Sequence, residues 1–216
     1  MKNETRLSRA FAFAEALHKT QLRKLAPGED TNLAVSYLTH LVEVMSLTIQ
    51  GFGDEDQQIA ALLHDAVEDH PRTADDELTA DVIRELFGER VSYLVDVCTD
   101  ARPATASEAK APWFDRKREH IAHLREVGIE DPAALLVPLA DKLSNAQAVV
   151  NDVLLHGDVV WDRFKAQPQQ SKWYYTSMLS VFQELIPDNP LVPRLERVVA
   201  QLQELANTSK TPTLVS

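Results

Sequence analysis

The stretch Ala60 to Asp69, A-A-L-L-H-D-A-V-E-D, decides the fold. At 100° per residue, a helix would place His64 and Glu68 on one strip of its surface. Asp65 and Asp69 would lie on the neighbouring strip, with alanine, leucine and valine around the rest. Ionisable groups on a helix otherwise suited to burial are costly unless they are neutralised and hydrogen-bonded. A divalent metal would do both, and the alternative is a polar edge that faces solvent.

Composition and charge indicate one soluble domain without a nucleic-acid partner. The 216 residues are 44% hydrophobic and 25% charged, which fits a single globular domain over residues 1–206 and a frayed polar tail at 207–216. A formal net charge of −11 argues against binding to a phosphate backbone. No apolar run approaches the roughly 18 residues of a membrane span, and no signal-peptide core follows the N-terminus. The single cysteine, Cys98, excludes an internal disulfide and suggests a buried thiol in a cytoplasmic protein.

Apolar residues at helical spacing predict an all-α fold. Aromatic residues near the C-terminus recur at similar spacing and are expected to pack in the core. The stretch from Asp100 to Pro112 is rich in alanine, proline, threonine and serine and predicts a surface loop. Helices are predicted over residues 6–24, 32–50, 54–69, 75–87, 90–99, 133–155 and 191–205, and another helix opens at 112.

Two further positions carry groups able to bind a metal. Asp141 follows an apolar run in L-V-P-L-A-D-K-L, so we expect it to be at least partly buried and to need a partner. Asn145 falls on the same strip of that helix. His40 shares a strip with Tyr37 and Val44 and therefore points inward, where a histidine is either a satisfied core residue or a ligand.

The remaining basic residues are expected near the surface. Arg116 and Lys117 would form either a solvated basic face or a cover for an anionic substrate. His120 and His123, on the same helix, are expected at the periphery. Lys142 is expected to be a surface lysine, with a substrate contact as the alternative.

Together these residues suit a metal that accepts both nitrogen and oxygen ligands. Two imidazoles and two carboxylates favour Mn²⁺, Fe²⁺ or Zn²⁺ over Ca²⁺ and leave room for water and substrate. The four side chains, from three predicted helices, are His40, His64, Asp65 and Asp141.

Five short motifs occur in an order that resembles a known family. They are Q-L-R-K at 21–24, Y-L-T-H at 37–40, H-D-A-V-E-D at 64–69, T-D at 99–100 and L-A-D-K-L-S-N at 139–145. The chain resembles the HD-domain phosphohydrolase superfamily and, within it, the hydrolase domain of the RelA/SpoT-homologue family. The resemblance implies an all-α fold of about eight to ten helices, with a metal site between helices, and a small alarmone hydrolase without a synthetase region.

The resemblance also implies an activity and a set of roles. The reaction would be removal of the 3′-pyrophosphate from (p)ppGpp or (p)ppApp with one Mn²⁺, with Zn²⁺ or Fe²⁺ as alternatives. The nucleotide would be a small-molecule substrate, and the oligomeric state is left open. His40, His64, Asp65 and Asp141 would hold the metal, and Glu68 and Asp69 would position or deprotonate the attacking water. Arg23, Lys24, Tyr37 and Asn145 would contact the nucleotide.

Two departures from the family leave the substrate open. Leu41 stands where the family has proline after its first histidine, and the stretch 24–37 is longer than the family's compact turn. Because that stretch helps to shape the base pocket, guanine and adenine alarmones both remain candidates. The alternative activities are an HD-type nucleotidase or an NADPH 2′-phosphatase, both of which release orthophosphate. A non-enzymatic alarmone-binding module is expected to lack Glu68 or Asp69, and both are present.

Overall fold

The structure is a computed structural model that describes residues 5–23, 34–70, 79–100, 111–163 and 168–209. Within these ranges the fold is all-α, with ten α-helices and no β-sheet, so the predicted fold class is confirmed. Two 3-10 segments flank α8, at Pro132–Leu135 and Gly157–Arg163. The helices are α1 (Arg6–Leu17), α2 (Leu38–Gln50), α3 (Glu55–Leu63), α4 (Ala66–Asp69), α5 (Thr79–Phe87), α6 (Glu89–Cys98), α7 (Trp113–Glu130), α8 (Leu136–His156), α9 (Pro168–Leu185) and α10 (Val192–Thr208).

Helix α3 forms the centre of the molecule. It contacts α1, α2, α6 and α8, and the side chains of its run from Ile59 to Leu63 are fully buried. Asp54 caps its N-terminus: the carboxylate accepts from the backbone N–H of Gln57, whose side chain in turn accepts from the Asp54 N–H. This reciprocal cap fixes where the helix begins and so where the residues at its far end lie.

The turn that leads into α3 requires a glycine. A Cβ on Gly53 would lie 2.5 Å from Thr48 Cγ2 and 2.9 Å from the Thr48 carbonyl oxygen, closer than real Cβ contacts allow. Because the Thr48 carbonyl oxygen belongs to the backbone, a side chain at position 53 could be accommodated only if the backbone moved. This turn packs α2 against α3 and so brings two halves of the candidate site together.

Several predicted helix ends are wrong. Helix α1 ends at Leu17 rather than 24, and α2 begins at Leu38 rather than 32. The intervening chain pairs with itself instead, because Arg23 N–H donates to Val35 O at 2.9 Å and Tyr37 N–H donates to Gln21 O at 2.9 Å. At the C-terminus α10 continues to Thr208, past the predicted start of the tail.

Other predictions fall on residues outside the described ranges. These are Lys24, most of the predicted 100–112 loop and the tail beyond 209. Asp100, the first residue of that predicted loop, is described and has a buried side chain. Among the residues described, no helix is both long and apolar enough to cross a membrane.

Helices α9 and α10 pack against each other and against α8. Trp161, Tyr174 and Phe182 are buried, which confirms that these aromatic residues pack in the core. Helix α8 starts afresh at Leu136 after the 3-10 segment, so Pro138 lies in its first turn, where a missing N–H is tolerated. Cys98 ends α6 against the core, and burial raises the pKa of its thiol, as expected for a buried thiol.

Candidate metal centre

The helix is interrupted at His64 and Asp65. Helix α3 ends at Leu63 and α4 begins at Ala66, so the single helix predicted over 54–69 is wrong at this point. Successive residues of a continuous helix diverge by 100°. Here the turn instead brings His64 Nε2 to 3.0 Å from Asp65 Oδ2, so both side chains face the same space.

Four predicted ligands converge in that space. The ligand atoms of His40, His64 and Asp65 all lie within 4.8 Å of one another. Asp141 approaches the two imidazoles, with Oδ1 3.2 Å from His40 Nε2 and 3.5 Å from His64 Nε2. Asp141 is buried and partnered, as its apolar sequence context predicts. Residues from α2, the α3–α4 turn and α8 therefore meet around one point.

The hydrogen bonds made by the Nδ1 atoms of the two histidines fix which ring nitrogen faces the centre. His64 Nδ1 donates to the backbone oxygen of Ala61 at 2.8 Å, and His40 Nδ1 is hydrogen-bonded to Ser144 Oγ at 3.1 Å. Both Nε2 atoms are buried and make no hydrogen bond within the described part of the chain. Buried nitrogens left without partners, with the opposite ring nitrogen held, are typical of metal-ligating histidines. His40, His64 and Asp65 could thus hold a divalent ion.

Polar neighbours hold both carboxylates. The Tyr37 hydroxyl donates to Asp65 Oδ2 at 2.5 Å. Asn145 Nδ2 donates to Asp141 Oδ1 at 2.5 Å, and Lys142 Nζ lies 2.5 Å from Asp141 Oδ2. Each carboxylate therefore has its orientation set before any ligand arrives.

The charges around the centre keep these carboxylates ionised. Burial alone would raise the pKa of Asp141, but the Lys142 charge and then the two adjacent imidazoles lower it well below its usual range. Burial likewise opposes ionisation of Asp65, and the neighbouring His64 outweighs it, so the pKa of Asp65 is also lowered. Burial disfavours the charged form of His64, yet the two aspartates raise its pKa.

A cluster of cations lies behind Asp141. The Lys142 side chain is only 12% exposed, so the expectation of a surface lysine is wrong. Arg116 and Lys117 both pair with Asp100, and the Arg116 contact measures 2.8 Å. Burial would raise the pKa of Asp100, but Lys117 and the other cations hold it at about 2. The predicted solvated basic face of α7 is therefore wrong at Arg116 and Lys117, which are largely buried around a carboxylate.

His120 belongs to the same region and is buried rather than peripheral. Neither ring nitrogen has a hydrogen-bond partner among the residues described. Burial first, and then the Lys142 charge, lower its pKa to about 3. The sequence did carry a signal: His120, Leu124 and Gly128 are spaced by four residues and form the buried stripe of α7. His123 is half-buried, one step off that stripe.

The other predicted site residues lie around the opening. Glu68 is half-buried on α4, and Asp69 is exposed. Arg23 Nη1 lies 3.5 Å from Asn145 Oδ1, and its guanidinium carbon is 6.0 Å from the centre of the Tyr37 ring. The structure thus gathers Arg23, Tyr37 and Asn145 from three separate segments. Gln21, the first residue of the Q-L-R-K motif, donates to Asp69, a contact that the sequence does not predict.

An all-α fold with histidine and aspartate ligands between its helices defines the class. Residues 10–172 match the family model described as HD domain, and the chain belongs to that family. The family implies a divalent metal.

Relatives lie among proteins of the RelA/SpoT type, which confirms the resemblance seen in the motifs. A GTP pyrophosphokinase of Myxococcus xanthus is 32% identical over 143 residues, 66% of this chain and 17% of the relative. A guanosine-3′,5′-bis(diphosphate) 3′-pyrophosphohydrolase of Aquifex aeolicus is 33% identical over 144 residues, 66% of this chain and 18% of the relative. The chain thus spans less than a fifth of the length of these two proteins.

A solved structure matches over almost the full length of both chains. It is described as a metazoan ortholog of SpoT that hydrolyses ppGpp and plays a role in starvation responses. The TM-score is 0.63 at 25% identity, and the match covers 93% of this chain and 97% of that one.

Proposed function

We propose that this chain hydrolyses the 3′-pyrophosphate of an alarmone nucleotide, (p)ppGpp or (p)ppApp, with Mn²⁺ as the metal. The observation that carries the proposal is geometric: the buried Nε2 atoms of His40 and His64 make no hydrogen bond among the described residues and face the carboxylates of Asp65 and Asp141. Support comes also from the pyrophosphohydrolase named among the relatives and from the ppGpp hydrolase of similar fold.

His40, His64, Asp65 and Asp141 would hold the ion. Two nitrogen and two oxygen ligands suit Mn²⁺, Fe²⁺ or Zn²⁺, and the resemblance to the RelA/SpoT-homologue family is what favours Mn²⁺. When bound, a divalent ion lowers the pKa of its water towards neutrality and offsets charge on the phosphates. Lys142 and Asn145 keep the Asp141 carboxylate oriented, and Tyr37 does the same for Asp65.

The chain's own side chains would handle the proton and the substrate. Glu68 and Asp69 orient the attacking water and accept its proton as its oxygen bonds to the phosphorus attached to the 3′-oxygen. The bond between that phosphorus and the 3′-oxygen breaks, and the 3′-oxygen takes up a proton. The products are pyrophosphate and GDP or GTP, or the adenine equivalents. Arg23, Lys24, Tyr37 and Asn145 bind the nucleotide so that its 3′ group faces the centre.

Product analysis of a small substrate panel tests the proposal. Metal-stripped protein is incubated with ppGpp, pppApp or NADPH, with and without Mn²⁺, and the products are separated by ion-exchange chromatography. We expect Mn²⁺-dependent release of pyrophosphate from at least one alarmone. The alarmone that is hydrolysed faster, ppGpp or pppApp, identifies the preferred base. Orthophosphate as the only product would instead support a nucleotidase or NADPH 2′-phosphatase. No turnover of any substrate, with binding retained, would support a binding module.

A further inference from the structure

Gln21 joins a buried histidine to a carboxylate at the opening of the metal centre. Its Nε2 donates to Asp69 Oδ2 at 2.7 Å, and its Oε1 lies 2.7 Å from His18 Nδ1. An ionised carboxylate only accepts hydrogen bonds, so the amide must present its NH₂ group to Asp69. The Gln21 oxygen therefore faces His18, whose Nδ1 must carry a proton.

His18 is held firmly enough to fix that amide. Its side chain is 1% exposed, and its ring lies between two other rings, with centroids 5.3 Å from Tyr37 and 4.9 Å from His70. Its Nε2 is buried and has no hydrogen-bond partner in the described ranges. Among the described residues, the proton on Nδ1 thus makes the one hydrogen bond of the ring, and that bond goes to Gln21.

The backbone of Gln21 reaches the other side of the same opening. Its carbonyl oxygen accepts from the Tyr37 N–H at 2.9 Å, and the Tyr37 hydroxyl donates to Asp65. Gln21 N–H donates to His18 O at 3.0 Å, which closes the turn after α1. One residue therefore connects to Asp69 through its side chain and to Asp65 through Tyr37.

We propose that Gln21 is a positioning residue for the water-handling carboxylate Asp69, and that the Nδ1 proton of His18 sets the orientation of its amide. The inference rests on the proposed function, in which Asp69 orients or deprotonates the attacking water. Asp69 is exposed, and an exposed carboxylate without this neighbour would rotate among several conformers. Gln21 selects one of them without adding a positive charge that would oppose proton acceptance.

A double-mutant cycle tests whether Gln21 acts through Asp69. Gln21→Leu, Asp69→Asn and the double variant are assayed with ppGpp at saturating Mn²⁺. We expect Gln21→Leu to lower kcat about 10- to 100-fold, the range typical of residues that orient a functional group, and to leave Mn²⁺ affinity within about twofold. In the Asp69→Asn background, Gln21→Leu should cause almost no further loss. Gln50→Leu, an exposed glutamine at the end of α2, is the matched control and should leave kcat unchanged.

A second pair of variants tests whether the Nδ1 proton of His18 orients the Gln21 amide. His18→Asn keeps an N–H donor near the position of Nδ1, whereas His18→Leu removes it. We expect His18→Asn to retain most of the activity and His18→Leu to lose as much as Gln21→Leu. Thermal unfolding and Mn²⁺ binding of each variant identify any that fail to fold. Equal losses in two folded His18 variants would overturn the role of the Nδ1 proton.

The outcomes separate this inference from the proposed function. Suppose that the unaltered protein releases pyrophosphate, and that the loss of kcat in the double variant equals the product of the losses in the two single variants. The inference is then wrong and the proposed function stands. A fall in Mn²⁺ affinity as large as the fall in kcat would also overturn it, because Gln21 would then act on the metal site as a whole. If the unaltered protein releases no pyrophosphate from any alarmone, the proposed function fails.

Discussion

The two flanks of the metal centre hold their carboxylates by different means. On the ionic flank, Asp141 pairs with Lys142, and Asp100 beyond it pairs with Arg116 and Lys117. On the neutral flank, Tyr37 holds Asp65 and Gln21 holds Asp69, through a hydroxyl and an amide. The ionic flank is buried, whereas the neutral flank opens to solvent at Asp69.

A charged partner and a neutral partner have different effects on a carboxylate. A nearby cation lowers the pKa of Asp141 against the opposing effect of burial, which suits its proposed role as a ligand. A neutral donor orients a carboxylate while leaving its charge available to a substrate or a water. The comparison predicts that damage to the ionic flank costs mainly stability and that damage to the neutral flank costs mainly turnover.

The largest effect is expected from removing a proposed ligand. Asp65→Ala should abolish Mn²⁺ binding and lower turnover by about 10³-fold or more, because a metal-centred charge is worth several kcal/mol to the transition state. Isothermal titration calorimetry and pyrophosphate release measure the two effects. Asp81→Ala, at an exposed aspartate of α5, is the matched control and should change neither.

Glu68→Ala separates metal binding from water handling. The variant should bind Mn²⁺ as the unaltered protein does and lose turnover by about 10²-fold or more, the usual contribution of a positioned acid or base. Metal affinity and kcat are measured on the same preparation. Normal turnover in Glu68→Ala would remove Glu68 from the proposed mechanism.

Lys142→Met breaks the ionic flank. It leaves Asp141 buried without its cation, so the free energy of unfolding of the metal-free protein should fall by about 3 kcal/mol. Bound Mn²⁺ would replace the lost charge, so Mn²⁺ should raise Tm more in this variant than in the unaltered protein. Differential scanning calorimetry with and without Mn²⁺ measures both, with Lys19→Met on exposed α1–α2 chain as control. An equal Tm loss in both conditions would contradict this account of the flank.

The fold class was predictable from sequence, as was the set of side chains that converge between the helices, and the groups that support them were not. Asp141 was identifiable because a carboxylate within an apolar run needs a partner. The break at His64 was not, since A-A-L-L-H-D-A-V-E-D has helical periodicity throughout, whereas α3 ends at Leu63 and α4 begins at Ala66. Lysine is rarely buried, so residue type alone placed Lys142 at the surface, and its burial depends on pairing with Asp141. Gln21 belongs to the Q-L-R-K motif, but its contacts were not predictable, because its partners lie 3 and 48 residues away.

His120 makes the ionic flank sensitive to acid. Its pKa is about 3 in the folded protein, against 6.5 ordinarily, so below pH 6.5 the unfolded chain takes up a proton that the folded chain does not. Its contribution to stability is therefore complete above pH 6.5 and declines as the pH falls towards 3. Between pH 6.5 and 5 the free energy of unfolding should fall about 2 kcal/mol more in the unaltered protein than in His120→Phe. Urea unfolding at the two pH values measures this difference, and parallel declines would contradict the assignment.

Tyr37→Phe tests the neutral flank and should have the smallest effect on stability. It removes one hydrogen bond to Asp65, so the metal-free protein should lose about 1.5 kcal/mol, less than Lys142→Met loses. Urea unfolding of the two variants side by side makes the comparison. A loss in Tyr37→Phe equal to that of Lys142→Met would mean that the two flanks do not differ in the way described.

The most direct test of the central claim is anion-exchange analysis of ppGpp mixed with metal-stripped protein at stepwise increasing Mn²⁺, with each reaction stopped by excess EDTA. The account predicts that one pyrophosphate and one GDP appear for each ppGpp consumed, with a rate that follows occupancy of a single metal site. Orthophosphate as the primary product, or turnover at full rate without Mn²⁺ or any other divalent metal, would contradict it.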